Sequence, residues 1–508
     1  MVNRYYITTP IYYVNASPHI GHSYTTTAAD TLARFMRQRL GRENVWFLTG
    51  TDEHGQKIQR AAQELGISAE DFVDRMSQEF RQLWERLSIS YNDFIRTTEP
   101  RHISCVQRVL ELLHAKSEIY LAQYSGWYCT PCETFWTESQ ITSQGCPECG
   151  RPVEMISETN YFLRLKEHQK WLIEYIENHP DFVKPDFRRN EVLSFLKMNE
   201  LSDLCISRPK ERLEWGIPIP FASGHVTYVW FDALINYISA VGFFDKNNRY
   251  VSNWWQSDTV LVHLVGKDIL RQHAIYWPII LHALDIELPE KMTIFAHGWW
   301  LMHQAKMSKS RGNVVAPLEM VERFGVDTYR YFLLRDVPFG LDGNFSEDSI
   351  IKRHNDDLAN DLGNLVQRTL TMVEKYFGGV IPSVEIGNFK YDSNGELIKS
   401  KLGESLKGIL DRHLGFDSDF NFSSALQDIW EVINLANKYI EEVKPWNLAR
   451  ENKIKELGFF IRLLVELILQ VADCISPFMP ATSDCIIQQF SQATVKKGSP
   501  LFPRLERR

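Results

Sequence analysis

The chain reads as an α/β protein: a parallel sheet interrupted by an insertion and followed by an all-α helical bundle. Three observations carry this reading. Short apolar runs at Tyr5–Val14, Val45–Thr49, Val260–Val265 and Thr293–His297 each lead into a segment of helical period, the alternation that builds parallel sheets covered by helices. Between the second and third runs, roughly from Tyr120 to Phe221, cysteines, prolines and tryptophans replace the regular period. Past about Ile350 the strand signals fade, and apolar residues recur at helical spacing, as at Leu426, Ile429, Ile433, Ala436 and Ile440. The expected divisions are 1–118 for the first half of the sheet domain, 119–224 for the insertion and 225–290 for the second half. A connecting segment at 291–350 and the bundle at 351–508 complete the chain.

The first run passes through Asn15-Ala16-Ser17-Pro18 into His19-Ile20-Gly21-His22, then a helix with Ala28, Ala29, Leu32, Phe35 and Met36 on one face. Ser17 suits an N-cap and Pro18 the first helical position, which puts both imidazoles in the first turn. Unsatisfied N–H groups and the helix dipole favour an anion there. In a parallel sheet this is also the carboxyl end of a strand, where ligands bind. Gly21 is read as letting a ligand approach the backbone closely. Histidines also start helices without a ligand, so this feature alone leaves both readings open.

Within the insertion, Cys129-x2-Cys132 and Cys146-x2-Cys149 are separated by 13 residues, the spacing of a tetrahedral Zn²⁺ site. Pro131, Gly145, Pro147 and Gly150 supply the tight turns such knuckles need. Four thiolates leave no open position, so the expected metal is one structural zinc; two unmetallated pairs or a redox couple are the other readings. Cys105, Cys205, Cys474 and Cys485 are isolated.

Further on, Trp230, Ala233 and Tyr237 fall at i, i+3 and i+7, and Ile269, His273 and Trp277 at i, i+4 and i+8. Each triplet shares one face if its segment is helical. Two such stripes fit a core as well as a pocket for a polarisable thioether. Lys306-Met307-Ser308-Lys309-Ser310-Arg311-Gly312 then reads as an exposed basic loop. Two lysines three apart with small hydroxyls between them can wrap a polyphosphate, although a lysine pair is commonly a solvated face.

Composition bounds the partners. With 56 Lys+Arg against 64 Asp+Glu the net charge is −8, which excludes holding nucleic acid by bulk positive charge. Residues 351–508 carry 20 basic and 21 acidic residues, so the excess acid lies before the bundle. A nucleic acid held there would depend on a few shaped contacts, with a moderate salt dependence. Eight cysteines in 508 residues exclude a disulfide scaffold. The N-terminus lacks the pattern of a signal peptide, and the apolar window Phe459–Pro480 is broken by Arg462, Glu466 and Asp473. A cytoplasmic protein with no membrane partner is expected.

The His-x-Gly-His and Lys-Met-Ser-Lys-Ser strings, in that order on a strand–helix background, resemble the signature of class I aminoacyl-tRNA synthetases. The longer strings Thr8-Thr9-Pro10-Ile11-Tyr12-Tyr13-Val14-Asn15, Thr49-Gly50-Thr51-Asp52-Glu53-His54-Gly55, Val229-Trp230-Phe231-Asp232-Ala233-Leu234 and Gly266-Lys267-Asp268-Ile269 are similar to the methionine-specific branch. The resemblance implies a split Rossmann-like sheet with a zinc-knuckle insertion, and a two-step reaction through an aminoacyl-adenylate. By it, His19 and His22 would stabilise charge at the α-phosphate of ATP, and Lys306 and Lys309 would hold the departing pyrophosphate. Gly21, Asp268 and Ser308 would complete the ATP site, with Mg²⁺ accompanying the nucleotide. Ile11, Tyr13, Trp230, Ala233, Tyr237, Ile269, His273 and Trp277 would surround L-methionine, and Asp52 would take its ammonium.

In the bundle, Asn364-Leu365-Val366-Gln367-Arg368 and Lys444-Pro445-Trp446 match the family's anticodon-contacting segments. Asn364, Arg368, Pro445 and Trp446 would therefore read tRNA(Met), the initiator tRNA included, by stacking and base-edge hydrogen bonds. A tryptophan after proline at a helix start is otherwise a common core residue. The cysteinyl branch would need zinc ligands near the start, and Tyr5–His22 contains no cysteine. Because the chain stops at Arg508 without an appended oligonucleotide-binding domain, a monomer is expected.

Overall fold

Arg4–Thr8, buried at every residue but the first, lies in the middle of a seven-stranded sheet. It pairs in parallel with Val45–Asp52 on one side and Thr259–Gly266 on the other. Asp93–Arg96 extends the sheet beyond Val45–Asp52, and Lys291–His297 extends it beyond Thr259–Gly266. Strands buried on both faces read as continuous apolar runs, which is why Val45–Thr49 and Val260–Val265 are legible in the sequence. The computed structural model describes residues 4–129, 134–136, 138, 141–143, 145–147, 150–302, 305–306, 315–385, 392–401, 406–416 and 418–506. The chain divides into two units. One comprises Met1–Pro18, Met36–Glu85 and Ser90–Ala296; the other comprises His19–Phe35, Arg86–Ile89 and His297–Arg508.

In the first unit the run Tyr5–Val14 is two strands rather than one. After Thr8 the chain breaks at Pro10, which has no N–H for the ladder, and resumes as Tyr12–Tyr13 paired with Thr51 and Asp52. The insertion begins as an antiparallel sheet in which Ile119–Cys129 pairs with Thr134–Trp136 and Glu154–Leu163. Later in that segment Val183–Lys184 joins the edge of the parallel sheet beside Ile294 and Phe295. Two residues are too short to register as a period.

In the second unit the helical stripes fall where their spacing puts them. Leu426, Ile429, Ile433, Ala436 and Ile440 are all buried in the helix Phe422–Val443, and Ile454–Ile475 is a second long helix of the bundle. After Phe377, Asp392 caps a helix at Ser393–Ser400 by accepting the Gly395 N–H at 2.8 Å. A π-helical segment, His354–Gly363, leads directly into the helix Asn364–Phe377. Among the described residues no helix is long and apolar enough to cross a membrane.

Candidate active site

The residues expected around the amino acid lie in the first unit. Tyr237 and Trp277 are fully buried and their rings pack at 5.5 Å between centroids, so the two helical stripes do face each other. The Tyr237 hydroxyl donates to His273 Nε2 at 2.7 Å, and His273 Nδ1–H donates to the Ile269 carbonyl at 2.8 Å. The imidazole is therefore neutral, with its proton on Nδ1, and burial pushes it down to about 4. His273 sits in a π-helical turn, Gln272–Tyr276, the kind of irregularity that re-aims side chains at functional sites. Ala233 is buried, Trp230 is half-buried, and Ile11 and Ile269 pack against the same core.

Asp52 ends the strand Val45–Asp52, buried, beside Tyr13 in register. The Val14 N–H donates to the Asp52 backbone carbonyl at 3.2 Å, which ties the short second strand to the backbone of this residue. Asp268 lies exposed in the turn Lys267–Ile269, immediately after the strand Thr259–Gly266. That is the carboxyl end of a central strand, the expected ligand side of a parallel sheet.

Sequence reasoning missed a buried network beside these residues. His54 Nδ1 and His102 Nε2 donate to the two oxygens of Asp232 at 2.6 and 2.7 Å, and His102 Nδ1 contacts Ser239 Oγ at 2.8 Å. Burial alone would raise an aspartate; the charge of His54 and the His102 hydrogen bond outweigh it and hold the carboxyl below its ordinary range. His54 is two residues past Asp52 and Asp232 two past Trp230, so the network joins the segments bearing those residues. His54 and Asp232 stand in two of the strings that carry the resemblance, but nothing along the chain says that they meet.

His19, Gly21, His22 and Lys306, expected at the phosphates, lie in the second unit, and here the helix start differs from expectation. The helix is Ile20–Leu40, so Ser17 and Pro18 precede it and His19 takes the capping place. The Gly21 N–H donates to His19 Nδ1 at 3.1 Å, while the His19 N–H donates to His22 Nδ1 at 3.2 Å. The two rings stack at 3.8 Å. Because both Nδ1 atoms accept backbone N–H groups, the proton of each neutral ring is on Nε2, giving two adjacent donors suited to phosphate oxygens. Gly21 is explained by this cap: a Cβ there would come within 3.0 Å of the His19 ring. With any larger residue the imidazole would have to give by a few tenths of an ångström, so this close approach favours glycine whatever the ligand does.

Lys306 is in a strand, Ala305–Lys306, antiparallel to Trp300–Met302, and not in the loop expected of it. Backbone pairing with Leu301 overrides the polar, Ser-rich sequence that follows. Ser308 and Lys309 lie outside the described residues, as do Cys132 and Cys149. Cys129 ends the strand Ile119–Cys129, and Cys146 opens a turn in which the Gly150 N–H donates to its carbonyl at 2.8 Å; both cysteines are buried. Among the described residues no three potential ligands gather into a metal site. A second feature absent from the sequence reading is Arg330, fully buried. It pairs with Asp30 of the histidine-bearing helix at 2.7 Å and donates to the carbonyls of Leu87, Pro477 and Phe478. A buried charge so fully bonded fixes geometry more than it adds stability.

In the bundle the structure brings Arg368 and Trp446 together. They line a groove of about 270 Å³ with Gln367, Thr371, Met372, Ile440 and Lys497. Trp446 is 39% exposed, which sets it apart from a core tryptophan. Lys444 in the left-handed conformation ends one helix, and buried Pro445 starts the next at its first position. Asn364 is exposed at the start of its helix. Arg368 is held by Glu441 at 2.7 Å.

The family profile described as "tRNA synthetases class I (M)" matches residues 5–155 and 146–370, and "Anticodon-binding domain of tRNA ligase" matches residues 415–503. The chain is thus a class I tRNA synthetase in its fold and its sequence. A curated methionine--tRNA ligase of Caldanaerobacter subterraneus is 47% identical over all of this chain and 80% of its own length, and one of Clostridium tetani is 46% identical over 99% and 78%. The Mycobacterium tuberculosis methionyl-tRNA synthetase in complex with methionyl-adenylate superposes with a TM-score of 0.89 at 37% identity, over 99% of this chain and the whole of that one. Within class I, this chain belongs to the methionyl-tRNA synthetase family.

Proposed function

We infer that this chain ligates L-methionine to tRNA(Met), the initiator tRNA included, through a methionyl-adenylate formed from ATP. The observation that carries the reading is the buried wall of Tyr237, His273 and Trp277, in a chain that is 47% identical over its whole length to a methionine--tRNA ligase. A methionine carboxylate oxygen bonds to the α-phosphorus as the bond to the β-phosphate breaks, and pyrophosphate leaves. The tRNA 3′-terminal hydroxyl then takes the acyl group, releasing AMP. No protein nucleophile is needed; catalysis rests on positioning and charge.

His19 and His22 present Nε2–H donors to the α-phosphate, and Lys306 and Lys309 neutralise the departing pyrophosphate. Gly21, Asp268 and Ser308 belong to the same ATP site, with Mg²⁺ entering on the nucleotide. Asp52 pairs with the methionine ammonium, while Ile11, Tyr13, Trp230 and Ala233 join Ile269 and the aromatic wall around the thioether. Asn364, Arg368, Pro445 and Trp446 read the anticodon. Cys129, Cys132, Cys146 and Cys149 hold one structural zinc: a strand end and a tight turn with glycines at positive φ on both sides of Cys146 suit a thiolate knuckle. The enzyme works as a cytoplasmic monomer.

Pyrophosphate exchange measured with each of the twenty amino acids tests the reading. Exchange with methionine alone is expected, and exchange with another amino acid, or with none, overturns it. Mass spectrometry under non-denaturing conditions should give one zinc per chain, and an equally stable metal-free protein removes the metal site.

A further inference from the structure

Asp232 spends both carboxylate oxygens on imidazoles that come from two distant segments. His54 follows the strand Val45–Asp52 by two residues, and His102 belongs to the helix Pro100–Ala115. Asp232 and His102 are fully buried and His54 nearly so. A buried carboxylate between imidazoles costs desolvation that apolar side chains of the same volume would avoid, so what it contributes is a defined geometry. The neighbouring residues show which geometry. Glu53, between Asp52 and His54, is buried too. Its carboxylate accepts from Arg96 at 2.7 and 3.0 Å and from the Thr51 and Thr98 hydroxyls at 2.6 Å each. The chain leaving Asp52 is therefore held at two successive side chains. In the short helix Val229–Leu234, residues two apart lie about 200° around the axis, so Asp232 faces inward while half-buried Trp230 is turned to the other side.

We propose that Asp232 is a positioning residue for methionine: through His54 it ties the strand end that bears Asp52 to the helix that bears Trp230, and through His102 it braces both against Pro100–Ala115. The proposal rests on the methionine reading above. An ammonium group is held well only when its carboxylate stands at hydrogen-bond distance and in line, so a small displacement of either segment weakens it. Asp232 acts through Asp52 and Trp230, since the imidazoles occupy both of its oxygens. His102 also meets Ser239, in the helix Asn236–Ser239 that carries Tyr237, so the same carboxylate braces one side of the aromatic wall.

The test measures pyrophosphate exchange with methionine and ATP varied separately. Asp232→Asn preserves the volume but accepts from one imidazole only. KM for methionine is expected to rise about tenfold, with kcat and KM for ATP within about twofold. His54→Gln cuts the tie from its other end, should have the same effect, and covers the case in which Asp232→Asn does not fold. The double variant should raise KM for methionine no further than the larger single one, as for two ends of one interaction; a multiplied effect would mean that the two residues act separately and overturns the tie. His102→Asn removes only the brace and should give a smaller rise in the same direction. If kcat and both KM values worsen together, or KM for methionine does not move, Asp232 is only structural and the proposal fails. A parent chain without methionine-dependent exchange overturns the functional reading, whereas normal exchange in the parent with an unmoved KM in the variants overturns this inference alone.

Discussion

The wall of Tyr237, His273 and Trp277 and the groove of Arg368 and Trp446 use similar side chains in opposite environments. In the first, Trp277 is fully buried and its polar hydrogen is spent on His263. In the second, Trp446 keeps 39% of its surface in water beside a guanidinium paired with Glu441. Recognition of a small apolar side chain depends on excluding water and leaving no polar group unmatched. Reading a nucleic-acid base depends on an accessible flat surface and movable charged groups. Burial therefore decides what each tryptophan can recognise.

The sharpest contrast comes from deleting the two rings. Trp277→Ala should cost about 3–5 kcal/mol of stability, seen in urea denaturation, and remove methionine-dependent exchange. Trp446→Ala should change stability by less than about 0.5 kcal/mol, yet lower charging of a tRNA with a CAU anticodon about tenfold to a hundredfold, with exchange nearly intact. Equal loss of exchange and charging in Trp446→Ala would make that residue structural and break the comparison.

Acid should act on the two regions with opposite sign. His273, held at about 4 by burial, stays neutral while the unfolded chain takes up a proton from its ordinary 6.5. Its contribution is whole above about pH 6.5 and is lost as pH falls toward 4. Asp361, in the π-helical segment that leads to Asn364, is pushed up to about 6 by burial and by Asp357 and Asp356. Its contribution is present below pH 4 and is lost as pH rises through 6. Unfolding free energies between pH 4 and 7 for the parent and Asp361→Asn measure the second effect, and its absence would place that carboxylate in water. The smallest effect is expected from Glu441→Gln, which opens an exposed ion pair and should alter stability by less than about 1 kcal/mol. A larger loss by the same denaturation measurement would mean that the groove is a rigid structural element.

Much of the candidate site was legible along the chain because its signals are local. A strand that runs into a helix places His19 and His22, and a helical period puts Tyr237 opposite Trp277 once both segments are helical. Local signals misplaced the details that depend on backbone accounting. Pro10 splits the first strand, His19 displaces Ser17 as the cap, and Lys306 enters a strand because Leu301 offers it a partner.

What the sequence determined by itself is therefore the order of elements, the stripes and the kinds of residue proposed to meet ligands, all set by spacing within a few turns or a strand. Only the tertiary structure decided the protonation and orientation of those residues. His263 finds its acceptor on Thr8, 255 positions away, and Asp232 finds His54 at 178 and His102 at 130. A buried polar atom must find a partner wherever the fold brings one, and no periodicity in the chain encodes that choice.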